Sequence, residues 1–235
     1  MKQHTVTAFD EDLSALASAI ATMGGLAEQL VAQSVQALLK SDPELAQQCI
    51  TADKKIDELE RQIEERAITI IARRQPMAQD LREIIAALRI ATDLERVADL
   101  GKNIARRALA IDAQKFGQRL FVGIEHLSAL GLEQMKLVLD SYAARDVAKA
   151  REVWAKDDDI DAVYTSLFRE LLTYMMEDPR NIGMCTHLLF CAKNIERIGD
   201  HATNIAETIC YLVTGEPFDE ARQSSTTRLT QAEQA

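Results

Sequence analysis

The apolar residues of this chain recur every three or four positions, which is the spacing of one face of an α-helix. In the first such stretch, residues 13–39, the leucines and isoleucines keep this spacing and only Gly24-Gly25 weakens it. Polar breaks divide the rest of the chain into five further stretches of the same kind. The pattern therefore predicts six long helices, at about 13–39, 43–74, 77–111, 121–138, 147–177 and 181–213.

The breaks contain residues that begin or end helices. Asp42 precedes Pro43, an arrangement typical of a helix N-terminus because the carboxylate caps free amides and proline suits the first turn. Asp146 matches this cap in the second half of the chain. Pro76 and Asp178-Pro179 interrupt the pattern, since the residue before a proline is pushed away from helical geometry.

The helix boundaries and some of the acidic residues repeat along the chain at nearly constant separation. Asp42 and Asp146 are 104 residues apart, and Glu95 and Glu196 are 101 apart. Helical solenoid units are only about 34–47 residues long, so each repeat should be a bundle of its own. We expect an all-α fold of two pseudo-symmetric three-helix bundles, residues 10–112 and 117–215, joined by a short polar segment, with flexible ends at 1–9 and 216–235.

One motif is repeated most closely, since residues 94–105 return almost intact as residues 195–206. Residues four apart on a helix share a face, so each copy forms a stripe of oxygen-bearing side chains beside an apolar face. The stripes are Glu95, Asp99 and Asn103 in the first half, and Glu196, Asp200 and Asn204 in the second.

Each half also carries a second acidic pair at the same spacing, on the preceding helix. If the two helices pack together, four carboxylates approach across one groove, and a cation would convert their repulsion into coordination. Oxygen-only ligands favour hard cations such as Mg²⁺, Mn²⁺ or iron. The predicted metal ligands are Asp53, Asp57, Glu95 and Asp99 in one groove and Asp157, Asp161, Glu196 and Asp200 in the other.

A simpler interpretation is that these acids form solvated helix faces neutralised by Arg96, Arg197 or Lys102, as acidic pairs arise often among 37 acidic residues. A metal-dependent, carboxylate-bridged enzyme is the alternative function. No Glu-x-x-His motif, nucleophile arrangement or phosphate-cradling loop is present in the sequence to favour it. His201 follows Asp200, but the matching residue is Leu100, so the repeat does not require a histidine there.

The net charge and the cysteine content limit the classes of function that we expect for this protein. A net charge of −10 argues against general binding to nucleic acid. The four cysteines lack metal-binding spacing and suit the core of a protein in a reducing compartment. We find no signal peptide and no apolar stretch of membrane-spanning length, so we expect a cytoplasmic protein without direct membrane insertion.

The twin Glu-Arg-x-x-Asp-x-x-x-Asn-Ile-Ala motifs and the two matched halves resemble the PhoU family, over about residues 10–215. The resemblance implies a PhoU-like fold, and Glu95-Asp99 and Glu196-Asp200 fit the family's signature of an acidic residue, three others and then Asp. It implies a non-enzymatic adaptor that negatively regulates phosphate uptake and the phosphate-starvation response. The partners implied are the sensor histidine kinase and the ATPase subunit of the phosphate importer, and we also expect a homodimer.

Overall fold

The structure, a computed structural model, describes residues 2–111, 119–216 and 218, and within these ranges it contains helices and no strand. This confirms the predicted all-α fold class. The seven helices are α1 (Lys2–Lys40), α2 (Pro43–Arg74), α3 (Gln79–Ala108), α4 (Arg119–Ala144), α5 (Val147–Ala155), α6 (Asp157–Glu177) and α7 (Ile182–Thr214), with a 3-10 turn at Pro179–Asn181 before α7.

The two halves use the same turn after their first helix. Ser41 and Arg145 both adopt a left-handed backbone with φ of 52°. Asp42 then accepts a hydrogen bond from the backbone amide of Leu45, and Asp146 accepts from the amides of Ala148 and Lys149. Both predicted N-caps are therefore present, and each satisfies amide groups in the first turn of its helix.

The predicted fifth helix is wrong in one respect, because it is two helices separated at Lys156. Three aspartates, Asp157, Asp158 and Asp159, follow the break and occupy the first turn of α6. Carboxylates in a first turn interact favourably with the positive end of the helix, an advantage they would lose in a helix interior. Apolar spacing alone cannot show such a break because it continues across Lys156.

Other helix ends also differ from the predicted ones. The backbone of α1 is helical from Lys2, well before Leu13, and α3 begins at Gln79 because Ala78 has a left-handed φ of 48°. The predicted connection near residues 112–117 and most of the C-terminal end lie outside the described residues. The division into domains 10–112 and 117–215, with flexible ends, stays a prediction.

The helices pack as two groups that share one core. Helices α1, α2 and α3 contact one another, and α4, α5 and α6 surround α7. The groups meet where α3 packs on α7 and α1 packs on α4, and a single cluster of buried apolar side chains continues through both. Gly101 allows α3 to approach α1 closely, since a Cβ atom there would lie 2.6 Å from Leu30 Cδ2.

The sequence expectation that no segment could span a membrane needs correction. Residues Phe9–Lys40 form a helix that is long enough to cross a membrane, and its most apolar stretch is apolar enough to do so by length and composition alone. A core helix of a globular protein passes the same test. Here Leu16, Ile20 and Met23 are buried against neighbouring helices, which accounts for their apolar character.

Candidate functional site

The first acidic groove lies where α2 packs against α3. Asp53 and Asp57 belong to α2, and Glu95 and Asp99 belong to α3. The structure brings all four carboxylates into electrostatic contact, because the charges of Asp53 and Asp99 act on Asp57, and those of Asp57 and Asp99 act on Glu95. Asp53 is the most enclosed, with only 3% of its surface exposed.

Lys102 supplies the positive charge of this groove. Its ammonium group hydrogen bonds to Asp53 Oδ2 on the neighbouring helix and lies 2.5 Å from Asp99 Oδ1 on its own helix. Burial acts to lower the pKa of Lys102, but the bonds to the two aspartates outweigh burial and hold the pKa above its ordinary value. The lysine therefore stays charged and joins α2 to α3.

One lysine does not balance four carboxylates. Burial, followed by the charge of Asp53, raises the pKa of Asp57, and burial followed by the charge of Asp99 raises the pKa of Glu95. Lys102 and Arg96 each offset only part of these effects. The groove consequently retains an excess of negative charge when all four groups are ionised.

The second acidic groove is formed by α6 and α7. Asp157 and Asp161 come from α6, and Glu196 and Asp200 come from α7. Burial raises the pKa of Glu196, and the charges of Asp200 and Asp161 add to this rise. Asp157 lies beside the same motif, since its Oδ1 is 3.7 Å from the Cβ position of Gly199. All four predicted residues therefore lie along the contact of α6 with α7, although their carboxylates do not converge on one point.

The lysine that contacts the carboxylates occupies a different sequence position in each of the two grooves. In the second groove Lys193 lies one turn before Glu196, approaches its carboxylate at 2.6 Å and has 47% of its side chain exposed. The residue that matches Lys102 is Thr203, which is fully buried and donates its hydroxyl hydrogen bond to the backbone carbonyl of Asp200. No lysine in the second half thus occupies the position of Lys102.

Metal binding is not visible in the arrangement of these side chains. Within the part of the chain that the structure describes, no three His, Cys, Asp or Glu side chains form a group that could hold a metal ion. In the first groove the ammonium of Lys102 contacts both Asp53 and Asp99. The metal assignment of the eight carboxylates therefore stays a prediction.

A contact between the two halves was not anticipated from the sequence. His201 Nδ1 on α7 lies 2.9 Å from Asp93 Oδ1 on α3, and both side chains are largely buried. Asn194 matches Asp93 in the second half, so the repeat contains no sign of this pair. Only the packing of α3 on α7 brings the two residues together.

An open groove also runs between α3 and α7, with a volume of about 860 Å³. Arg89 of α3 lies over the ring of Tyr211 of α7, 6.0 Å from the ring centroid. The remaining lining residues are Leu88, Thr92, Asp93, Asn204, Glu207, Thr208 and Phe218. Sequence reasoning missed this groove because its walls come from different halves.

Comparisons with known proteins agree with the duplicated architecture. The model of the PhoU domain family matches the chain twice, over residues 20–108 and 124–209. Each match contains one copy of the Glu-Arg-x-x-Asp motif. A PhoU crystal structure from Pseudomonas aeruginosa covers 88% of this chain and 100% of its own, with 40% identity and a TM-score of 0.85.

Related sequences extend over nearly the full chain. A protein of Rhizobium meliloti, named phosphate-specific transport system accessory protein PhoU homolog, is 62% identical over 90% of each chain. A Caulobacter vibrioides protein of the same name is 47% identical over 94% of this chain and 96% of its own. A structure from Streptococcus pneumoniae, called the phosphate transport system regulatory protein PhoU, has a TM-score of 0.83, 28% identity and coverage of 90% and 100%. The chain belongs to the PhoU family.

Proposed function

We propose that this protein is a non-enzymatic accessory regulator of phosphate transport that acts in the cytoplasm by binding other proteins. It would restrain the phosphate-starvation response by contacting the ATPase subunit of the phosphate importer and the sensor histidine kinase. The observation that carries this proposal is the 62% identity, over 90% of both chains, to a relative named as an accessory protein of phosphate-specific transport.

The geometry supports a role in docking. Asp57 is exposed on α2, and Asp161 is half-buried at the matching position of α6. Each half therefore presents part of a carboxylate groove at its surface. A basic surface on a partner would be attracted to such grooves, and the association would be fast and weakened by salt.

We also propose that a hard cation, Mg²⁺, Mn²⁺ or iron, binds in the second groove through Asp161, Glu196 and Asp200. Burial and neighbouring charges raise the pKa of Glu196, and a cation would relieve this unfavourable crowding. The position of Lys102 is taken by Thr203 here, so no lysine stands between the carboxylates from that side. Binding requires these side chains to rotate towards one point, because they do not converge in the structure.

The proposed regulator also forms a homodimer. Phe168, Leu172 and Met176 of α6 are exposed large apolar side chains spaced four residues apart, so they lie on one face of that helix. A second copy of the chain would bury this face. Light scattering of the purified protein measures the oligomeric state directly.

The docking proposal is tested by reversing charge at the two grooves. Asp57→Lys/Asp161→Lys is compared with Glu64→Lys/Glu170→Lys, which changes exposed acids of the same two helices and alters net charge equally. Each variant replaces the wild-type protein in a deletion strain that carries a phosphate-starvation reporter. Pull-down of the kinase and of the importer ATPase is measured in parallel.

We expect deletion to turn the reporter on in high phosphate, the groove variant to leave it on, and the control variant to restore repression. If the wild-type protein binds neither partner at low salt and deletion leaves the reporter silent, the regulator proposal fails. If both charge-reversal variants behave alike, the grooves are not the docking surface.

A further inference from the structure

Lys102 is held more tightly than a surface lysine. Only 15% of its side chain is exposed, and its ammonium contacts carboxylates from two helices, Asp53 of α2 and Asp99 of α3. The second oxygen of Asp53, Oδ1, is buried and accepts no hydrogen bond from the described residues. Lys102 therefore provides almost all of the charge compensation for the buried carboxylate of Asp53.

The second groove faces the same crowding of carboxylates without this lysine. Thr203 stands at the matching position, and it carries no charge; its hydroxyl donates a hydrogen bond to the backbone carbonyl of Asp200. Lys193 approaches Glu196 from the preceding turn and remains about half exposed. The duplicated motif has thus diverged at the residue that decides whether a fixed positive charge lies between the two helices.

We propose that Lys102 is a built-in counter-cation that keeps the first acidic groove free of metal ions, and that its removal would create a hard-cation site there. The ligands of that site would be Asp53, Asp57 and Asp99. A divalent ion entering the wild-type groove would meet the ammonium at contact distance in a largely buried space, where like charges repel strongly. It would also have to displace the hydrogen bonds that the ammonium donates.

The experiment counts bound Mn²⁺ per chain by equilibrium dialysis after removal of metal with a chelator. Lys102→Thr copies the second half into the first. Lys102→Arg retains the positive charge, and Lys102→Thr/Asp53→Asn removes one of the new ligands. Circular dichroism with and without Mn²⁺ establishes whether each variant is folded.

We expect Lys102→Thr to bind one more Mn²⁺ per chain than the wild type, Lys102→Arg to match the wild type, and the double variant to lose the added ion. An unchanged count in folded Lys102→Thr overturns the proposal, as does an added ion in Lys102→Arg or one retained in the double variant. Lys102→Thr that folds only with Mn²⁺ supports it.

A comparison within the wild-type background remains decisive if Lys102→Thr does not fold even with Mn²⁺. Wild type and Asp53→Asn should then bind equal amounts of Mn²⁺, since the first groove holds none in either protein. A lower count for Asp53→Asn overturns the proposal, because it means that Asp53 already ligates a metal ion beside Lys102.

Discussion

Replacing Lys102 with methionine should destabilise the protein strongly, because it leaves the buried carboxylate of Asp53 without its cation. Methionine keeps much of the lysine stem and its packing, so the loss is mainly electrostatic. Removing one partner of a buried ion pair costs about 3–5 kcal/mol. Lys102 retains 15% exposure and Asp99 retains 34%, so we expect the lower end, about 3 kcal/mol.

Urea unfolding in the presence of chelator, followed by circular dichroism, measures this loss. With a slope of about 3 kcal/mol per molar urea, the midpoint should fall by about 1 M. Lys55→Met is the matched control, because Lys55 is an exposed lysine of α2, and its free energy of unfolding should change by less than about 0.5 kcal/mol.

The double variant Lys102→Met/Asp53→Asn tests whether the loss of stability comes from the uncompensated charge of Asp53. Asparagine removes the charge that the lysine compensated, so the double variant should regain a large part of the lost stability, with a coupling energy of about 2 kcal/mol. A loss below about 0.5 kcal/mol in Lys102→Met, or no recovery in the double variant, would refute the assignment of Lys102 as the counter-ion of Asp53.

Three further predictions follow from the caps, the charges and the core. Asp42→Ala should lower the free energy of unfolding by about 1 kcal/mol, measured by urea titration, because the first turn of α2 loses its cap. Glu95→Gln should stabilise the protein at pH 7 by about 0.2–0.5 kcal/mol, since it relieves repulsion from Asp99. The pKa of Glu95 is raised in the folded state, so folding stabilises the protonated carboxyl group relative to the ionised one. This stabilisation is fully present below the unfolded-state pKa and is lost as pH rises through the folded-state pKa. The benefit of Glu95→Gln should therefore disappear below about pH 4, where Glu95 is protonated in both states. Cys191 should react with iodoacetamide only after unfolding, because burial raises its pKa to about 12; labelling of the native protein at pH 8 would contradict this.

Local chemistry was sufficient to predict most of the helices and the position of the acidic pairs. The spacing of apolar residues and the capping by Asp42 and Asp146 both act within a few residues. The sequence alone therefore indicates where α2 and α5 begin. The four-residue spacing of Glu95 and Asp99 likewise places both on one helix face in any packing arrangement. The repeat then predicts the same geometry for Glu196 and Asp200.

Tertiary packing determined which charges meet. The sequence provided Arg96, Arg197 and Lys102 as equivalent candidates to neutralise the acids, and only the contact of α2 with α3 brings Lys102 to Asp53. The pair His201 and Asp93 likewise exists only because α7 packs on α3. Ion pairs between helices depend on helix separation, rotation and side-chain burial, and none of these is specified by spacing along one helix.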